Sequence, residues 1–138
     1  MEAETFLGLY RLTQNYNNPQ NIITSTQPQF FRISKPSKCT FKLEFYDENM
    51  TLLFIKHDKC DKVICGNPDN SESKGKIIKK DGFISTSRKG FGNKFGRLNT
   101  NYHSQHIYVL INGIWKYSNT YIFGNGDISS ANYVKTSN

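Results

Sequence analysis

Apolar residues recur along this chain at every second position far more often than at every third or fourth. In "CTFKLEFY", Phe41, Leu43 and Phe45 alternate with Lys42 and Glu44, which is the pattern of a strand with one buried and one wet face. "DENM" then turns the chain and "TLLFIK" returns as a more fully apolar run, so residues 39–56 read as a β-hairpin. In "HIYVLINGIWKYS", Asn112 and Gly113 separate two β-rich runs, and both residues tolerate the positive φ of a type I′ turn. Further strands are expected over 6–12, 21–25, 29–34, 76–80, 83–87 and 121–123. A helical period is sustained nowhere, and the first dozen residues are the only stretch compatible with a short helix.

About seven to nine short strands, with turn signals every ~8–12 residues, predict an all-β protein: a single-domain antiparallel β-sandwich or small β-barrel. With 138 residues the chain is one ordinary domain, 1–138, long enough to bury a core without disulfides or a metal. "GNPDNSESKG", residues 66–75, is the most polar stretch and reads as an exposed loop. The Asn-rich "QNYNNPQN" carries no periodicity that a packed element requires, and no internal repeat or heptad pattern occurs. No run of about 18 apolar residues is present, and "MEAETFLGLYRLTQ" carries acids where a secretory leader carries basic residues. A soluble, intracellular and cytoplasmic protein is therefore expected, with Cys39, Cys60 and Cys65 too few and odd in number for a secreted disulfide framework. The sequon "NMT" at Asn49 points the other way, but such triplets are common by chance.

Charge changes the picture. The formal net charge is +7, and between residues 74 and 97 eight basic residues face Asp81 alone, so this segment carries the whole excess. They are Lys74, Lys76, Lys79, Lys80, Arg88, Lys89, Lys94 and Arg97. Excess charge gathered in one segment is the footprint of an anionic partner, whereas scattered lysines serve only solubility; a long solvated hairpin that is simply basic is the bland alternative.

Within that segment "SRKGFGNKFGR", residues 87–97, reads as a basic Gly/Phe loop. Its glycines, at 90, 92 and 96, have neither the dinucleotide nor the phosphate-loop spacing, so no nucleotide cofactor is expected. Glycines let backbone amides approach an anion, the cations neutralise phosphates, and Phe91 and Phe95 offer faces on which bases stack, if they point outward. If they point inward they anchor the loop to the core. The favoured reading is a non-catalytic module that recognises an anionic polymer, above all single-stranded nucleic acid. An acidic membrane surface suits the same residues, with the phenylalanines inserted at the headgroup boundary.

Three other chemistries are weighed. His57, Cys60 and Cys65 with Cys39 have the residue types of a Cys3His zinc site, but the spacing is not that of two close pairs; no metal is expected, and idle thiols or a Cys60–Cys65 disulfide are the other options. His57, His103 and His106 beside the basic loop would suit a metal-independent ribonuclease, but residues three apart in a strand point to opposite faces. Trp115, Tyr117, Tyr121 and Tyr133 in an Asn-rich region, with "GNGD" at 124–127, would suit a lectin-like sugar site. No nucleophile elbow, paired-carboxylate constellation or HExxH motif supports a hydrolase.

Overall fold

The computed structural model describes residues 5–18, 28–37, 40–60, 65–66, 74–80, 82–94 and 97–138. The chain is all-β. Its strands are β1 (Gly8–Asn18), β2 (Phe30–Ser37), β3 (Thr40–Tyr46), β4 (Leu52–Cys60), β5 (Cys65–Gly66), β6 (Lys74–Lys80), β7 (Phe83–Lys94), β8 (Arg97–Ile111), β9 (Ile114–Phe123) and β10 (Ile128–Ser137). Among the described residues these form one antiparallel sheet in the order β5-β4-β3-β2-β1-β10-β9-β8-β7-β6. Strands next to each other in the sequence are thus neighbours in space, and the first strand pairs with the last. The sheet curls, so that β5 and β6 approach one another although no hydrogen-bonded ladder joins them. The result is a half-barrel, the small-barrel alternative of the expected architecture.

Both predicted hairpins form. Asn112 (φ 52°) and Gly113 (φ 79°) connect β8 to β9 in the conformation that only Asn and Gly adopt cheaply. At the other hairpin the Asp47 carboxylate accepts hydrogen bonds from the backbone amides of Asn49 (2.8 Å) and Thr51 (2.9 Å), fixing the turn between β3 and β4. The short helix considered for the N-terminus does not form: residues 5–6 make a turn and β1 follows, because pairing with β10 and β2 satisfies its backbone on both edges. Among the described residues no helix is long and apolar enough to cross a membrane. The strand expected over 21–25 lies outside the described residues. β10, unforeseen in the sequence, buries Ser129, Ala131 and Tyr133 at alternate positions, so its inner face lacks the apolar signal of a strand.

The concave face holds an aromatic core. Phe54, Phe45, Phe31 and Tyr10 form a cross-strand row over β4, β3, β2 and β1, with successive centroid distances of 4.5, 6.0 and 4.8 Å. Tyr108, Tyr117 and Tyr133 form a second row over β8, β9 and β10. The rows meet where Phe31 packs edge-on against Tyr117 and Tyr133, each at 5.0 Å. Polar tips are satisfied by the chain's own backbone and side chains: Tyr10 donates to the Phe6 carbonyl, Tyr133 to the Pro28 carbonyl, and Trp115 Nε1 to Thr5 Oγ1. The N-terminal turn thus closes one end of the half-barrel with Phe6, which packs against Phe41, Tyr108 and Trp115.

Phe31→Ala is expected to lower the unfolding free energy by roughly 3–5 kcal/mol, as for other buried Phe truncations, measured by urea denaturation. Burial also pushes the Tyr10 phenol well above its ordinary value of 10. The folded state keeps it neutral while the unfolded chain ionises, so stability is full below about pH 10 and falls as pH rises beyond it. Tyr10→Phe should flatten that alkaline fall in thermal melts, at a cost near neutrality of about 0.5–1.5 kcal/mol for the lost hydrogen bond.

Candidate functional site

The basic segment is ladder, not loop. β6 pairs β7 from Lys74 opposite Lys89 to Lys80 opposite Phe83, and β7 pairs β8 from Phe83 opposite Val109 onward to Lys94 opposite Arg97. Most of the expected 87–97 loop is therefore strand, since Gly90, Phe91 and Gly92 take part in regular pairing up to a register shift between Gly92 and Lys94, while Phe95 and Gly96 lie outside the described residues. The expected 66–75 loop is likewise bounded by strands, with Gly66 in β5 and Lys74 and Gly75 in β6, while 67–73 lie outside the described residues.

A strand alternates its faces, so this pairing sorts the cations. Lys89 and His103 are register partners and both exposed, which identifies the outer face. Lys74, Lys76 and Lys80 occupy positions of that same outer set on β6, the last strand of the sheet. Lys79 and Arg88 fall in the inner set, opposite Ile84 and Ser104 respectively. Lys94 and Arg97 face each other at the tip. The side chains of these residues other than Lys89 lie outside the described part of the structure, as does Phe95 entirely. Phe91 is 44% exposed on the outer face, two residues beyond Lys89, so it does not anchor the segment to the core.

Among the described residues the hairpin also runs past its neighbours. The β6 ladder ends at Lys74–Lys89 and the β9 ladder at Tyr102–Phe123. Among the described residues, 92–94 and 97–100 therefore pair in the ladder only with each other, as a two-stranded ribbon, while the Asn101 carbonyl at its base accepts from the Gly124 amide at 2.8 Å. Gly90 sits at its root. A Cβ there would collide with the ring and hydroxyl of Tyr102, which lie directly over its backbone. That close approach, and not anion binding, requires this glycine.

The other candidates separate. His103 points outward, His106 inward and His57 lies exposed on β4, so no two imidazoles converge as a ribonuclease requires. Cys60 and Cys65 are directly opposite across β4 and β5, a pairing whose Cα separation falls within disulfide range. Cys39 lies outside the described residues, among which no three metal-ligating side chains gather. Trp115 and Tyr117 belong to the main core and Tyr121 to a second buried cluster with Tyr102 and Phe123, so none offers an exposed sugar platform. "GNGD" is a tight turn closed by the Phe123 amide on the Asp127 carbonyl at 2.9 Å.

Between the two aromatic clusters runs a polar belt that the sequence reading missed. One rung crosses the inner face through Arg88, Ser104, Tyr121, Ser129 and Asn17. The next runs through Thr86, His106, Asn119, Ala131 and Asn15. His106 Nδ1 lies 2.8 Å from the Tyr117 hydroxyl, which also accepts a 3.4 Å hydrogen bond from the Asn119 amide. Tyr121 stands edge-on to the imidazole at 5.5 Å. The available signal was the parity of "YHSQHIY", which puts Tyr102, Ser104, His106 and Tyr108 on one face.

Gly90→Ala should displace the Tyr102 ring and cost about 1–3 kcal/mol, as overpacking does. Added to Tyr102→Ala, the same change should cost almost nothing, a coupling that a double-mutant cycle of urea melts will detect. No protein-family model matches the chain, and no curated protein or solved structure matches it, so function rests on the geometry alone.

Proposed function

We propose that the protein is a non-catalytic module that binds an anionic polymer, single-stranded nucleic acid, along the outer face of β6, β7 and β8. The observation that carries this reading is a pair of like-charge oppositions: Lys74 faces Lys89, and Lys94 faces Arg97. Like charges directly opposite across a sheet are destabilising, so a chain gains nothing from them unless an anion neutralises both. Lys76 and Lys80 extend the row along β6, and the exposed Phe91 supplies a stacking face beside it. Exposed aromatic area next to cations favours unpaired bases over a duplex, whose faces are already stacked.

Titration of a single-stranded oligonucleotide at several salt concentrations tests this. Affinity should fall linearly with log salt, and Lys89→Gln should reduce the slope by about 0.7, the value for one phosphate contact on a single strand. The same substitution should leave the free protein as stable as before or slightly more so, since it removes a like-charge opposition. Phe91→Ala should weaken binding by ~1–3 kcal/mol and leave the slope unchanged, because stacking releases no counterions. Absence of oligonucleotide binding at moderate salt, or binding indifferent to Lys89, would end this reading; retention of acidic vesicles alone would transfer the surface to a membrane role.

A further inference from the structure

An open groove lies on the outer face of the sheet, centred on β9 and β10 and to the side of the strands assigned to polymer binding. We propose that it is a second site, which holds the ring of a hexuronic acid, free or as a residue of a longer glycan. Shape, charge and hydrogen-bonding capacity point to it.

A β-bulge borders the groove. Leu12 pairs with Tyr133 and Gln14 with Asn132, so Thr13 is an extra residue without a partner in the ladder, and both Thr13 and Gln14 are exposed. Beside the bulge, Thr13, Asn132, Val134, Lys116, Ser118 and Val109 line a volume of about 530 Å³, inside the roughly 300–1,000 Å³ range of small-molecule sites. Thr13, Lys116 and Asn132 are exposed, so a solute reaches it. Tyr117 and Tyr133 complete the lining, but they are buried in the aromatic core, and the groove offers no free aromatic face on which a base would stack.

Charge narrows the ligand. Register puts Val109, Lys116, Val134 and Arg11 on one outer rung, and Ile107, Ser118, Asn132 and Gln14 on the next. Neither rung contains an acid. Lys116 and Arg11 are both exposed, and among the described residues neither has an ion-pair or hydrogen-bond partner. They stand two strands apart, about 10 Å, with Val134 between them. An anionic group is complementary to that pair, and a neutral one leaves it uncompensated.

The neutral side chains ask for more than a bare anion. Thr13 Oγ1 donates to the Asn132 carbonyl at 3.0 Å, so its own lone pairs remain as acceptors. Asn132 Nδ2 donates to Gln14 Oε1 at 3.4 Å, which leaves the Asn132 side-chain oxygen as a second acceptor. Ser118 adds a hydroxyl that both donates and accepts. Such a set suits the neighbouring hydroxyls of a sugar ring, and Val109 and Val134 suit its C–H face. Inorganic phosphate or a simple carboxylate would leave these groups unused.

The methyl glycosides of glucuronic and galacturonic acid and their neutral counterparts, methyl glucoside and methyl galactoside, test the proposal when titrated into the full chain and followed by amide chemical shifts. At least one uronide should shift the amides of Lys116, Ser118 and Val134, and its neutral counterpart should bind about fivefold more weakly, as one exposed ion pair allows. Lys116→Gln should abolish that discrimination and leave the neutral sugar's binding as it was. Ser118→Ala should weaken both sugars by about threefold or more, the loss of one hydrogen bond, with little change in melting temperature. A trimer of the uronic acid that binds more tightly than the methyl glycoside would assign the groove to a polysaccharide, and equal binding would assign it to a free or terminal sugar. No shift with either uronide, a neutral sugar that binds as well as its uronide, the same shifts at equal affinity with inorganic phosphate, or shifts centred on Lys89 and Phe91 would overturn the proposal. Lys89→Gln should leave uronide binding unchanged, so this proposal and the polymer reading fail separately.

Discussion

The ladder between β1 and β10 holds this protein together. Within the sheet order each half, β1 to β5 and β6 to β10, is a run of hairpins between sequence neighbours, and among the described residues the backbone ladder that joins the halves is that of Leu9–Asn18 with Ile128–Ser137. It brings the chain's two ends to the middle of the sheet. Closing so long a loop costs more entropy than closing a hairpin, and the ladder alone does not repay it. The aromatic rows do, since Phe31 of the first half meets Tyr117 and Tyr133 of the second across the concave face. Ladder and core are therefore one cooperative feature, and the N-terminal turn that carries Thr5 and Phe6 seals the end where both are densest.

The curl that this closure imposes gives the sheet two chemically distinct faces. On the concave side aromatic rungs alternate with polar ones, so the interior is not a uniform core. Tyr117 bridges the two kinds, with its ring in the main cluster and its hydroxyl on His106 and Asn119. On the convex side, β6 to β8 carry a surplus of lysine at the sheet's last strand.

Among the described residues, the ribbon formed by the ends of β7 and β8 extends beyond its lateral neighbours, with Phe91 exposed at its base. An isolated two-stranded ribbon is only marginally stable in water, and here the Tyr102 ring over Gly90 braces its root from the inside. The same residues thus divide their labour: Gly90 and Tyr102 support the element, while Lys89 and Phe91 present its outer surface. A sequence reading that treats "RKGFG" as one functional unit merges these two roles.

Local chemistry by itself determined the all-β class, the hairpin at Asn112–Gly113, the turn at Asp47–Met50 and the concentration of charge between Lys74 and Arg97, because side-chain alternation, positive φ and charge are properties of neighbouring residues. It also separated His103 from His106, since three residues along a strand reverse the face. Tertiary structure decided the rest. Whether Trp115 is exposed, which lysines share a face, and that Cys60 stands opposite Cys65 follow from strand register, and register is set by partners distant in sequence. β10 and its share of the polar belt were illegible for the same reason. Ser129 and Ala131 lie in the interior where β10 is flanked by β1 and β9, and no pattern within β1 or β10 announces a partner so distant in sequence.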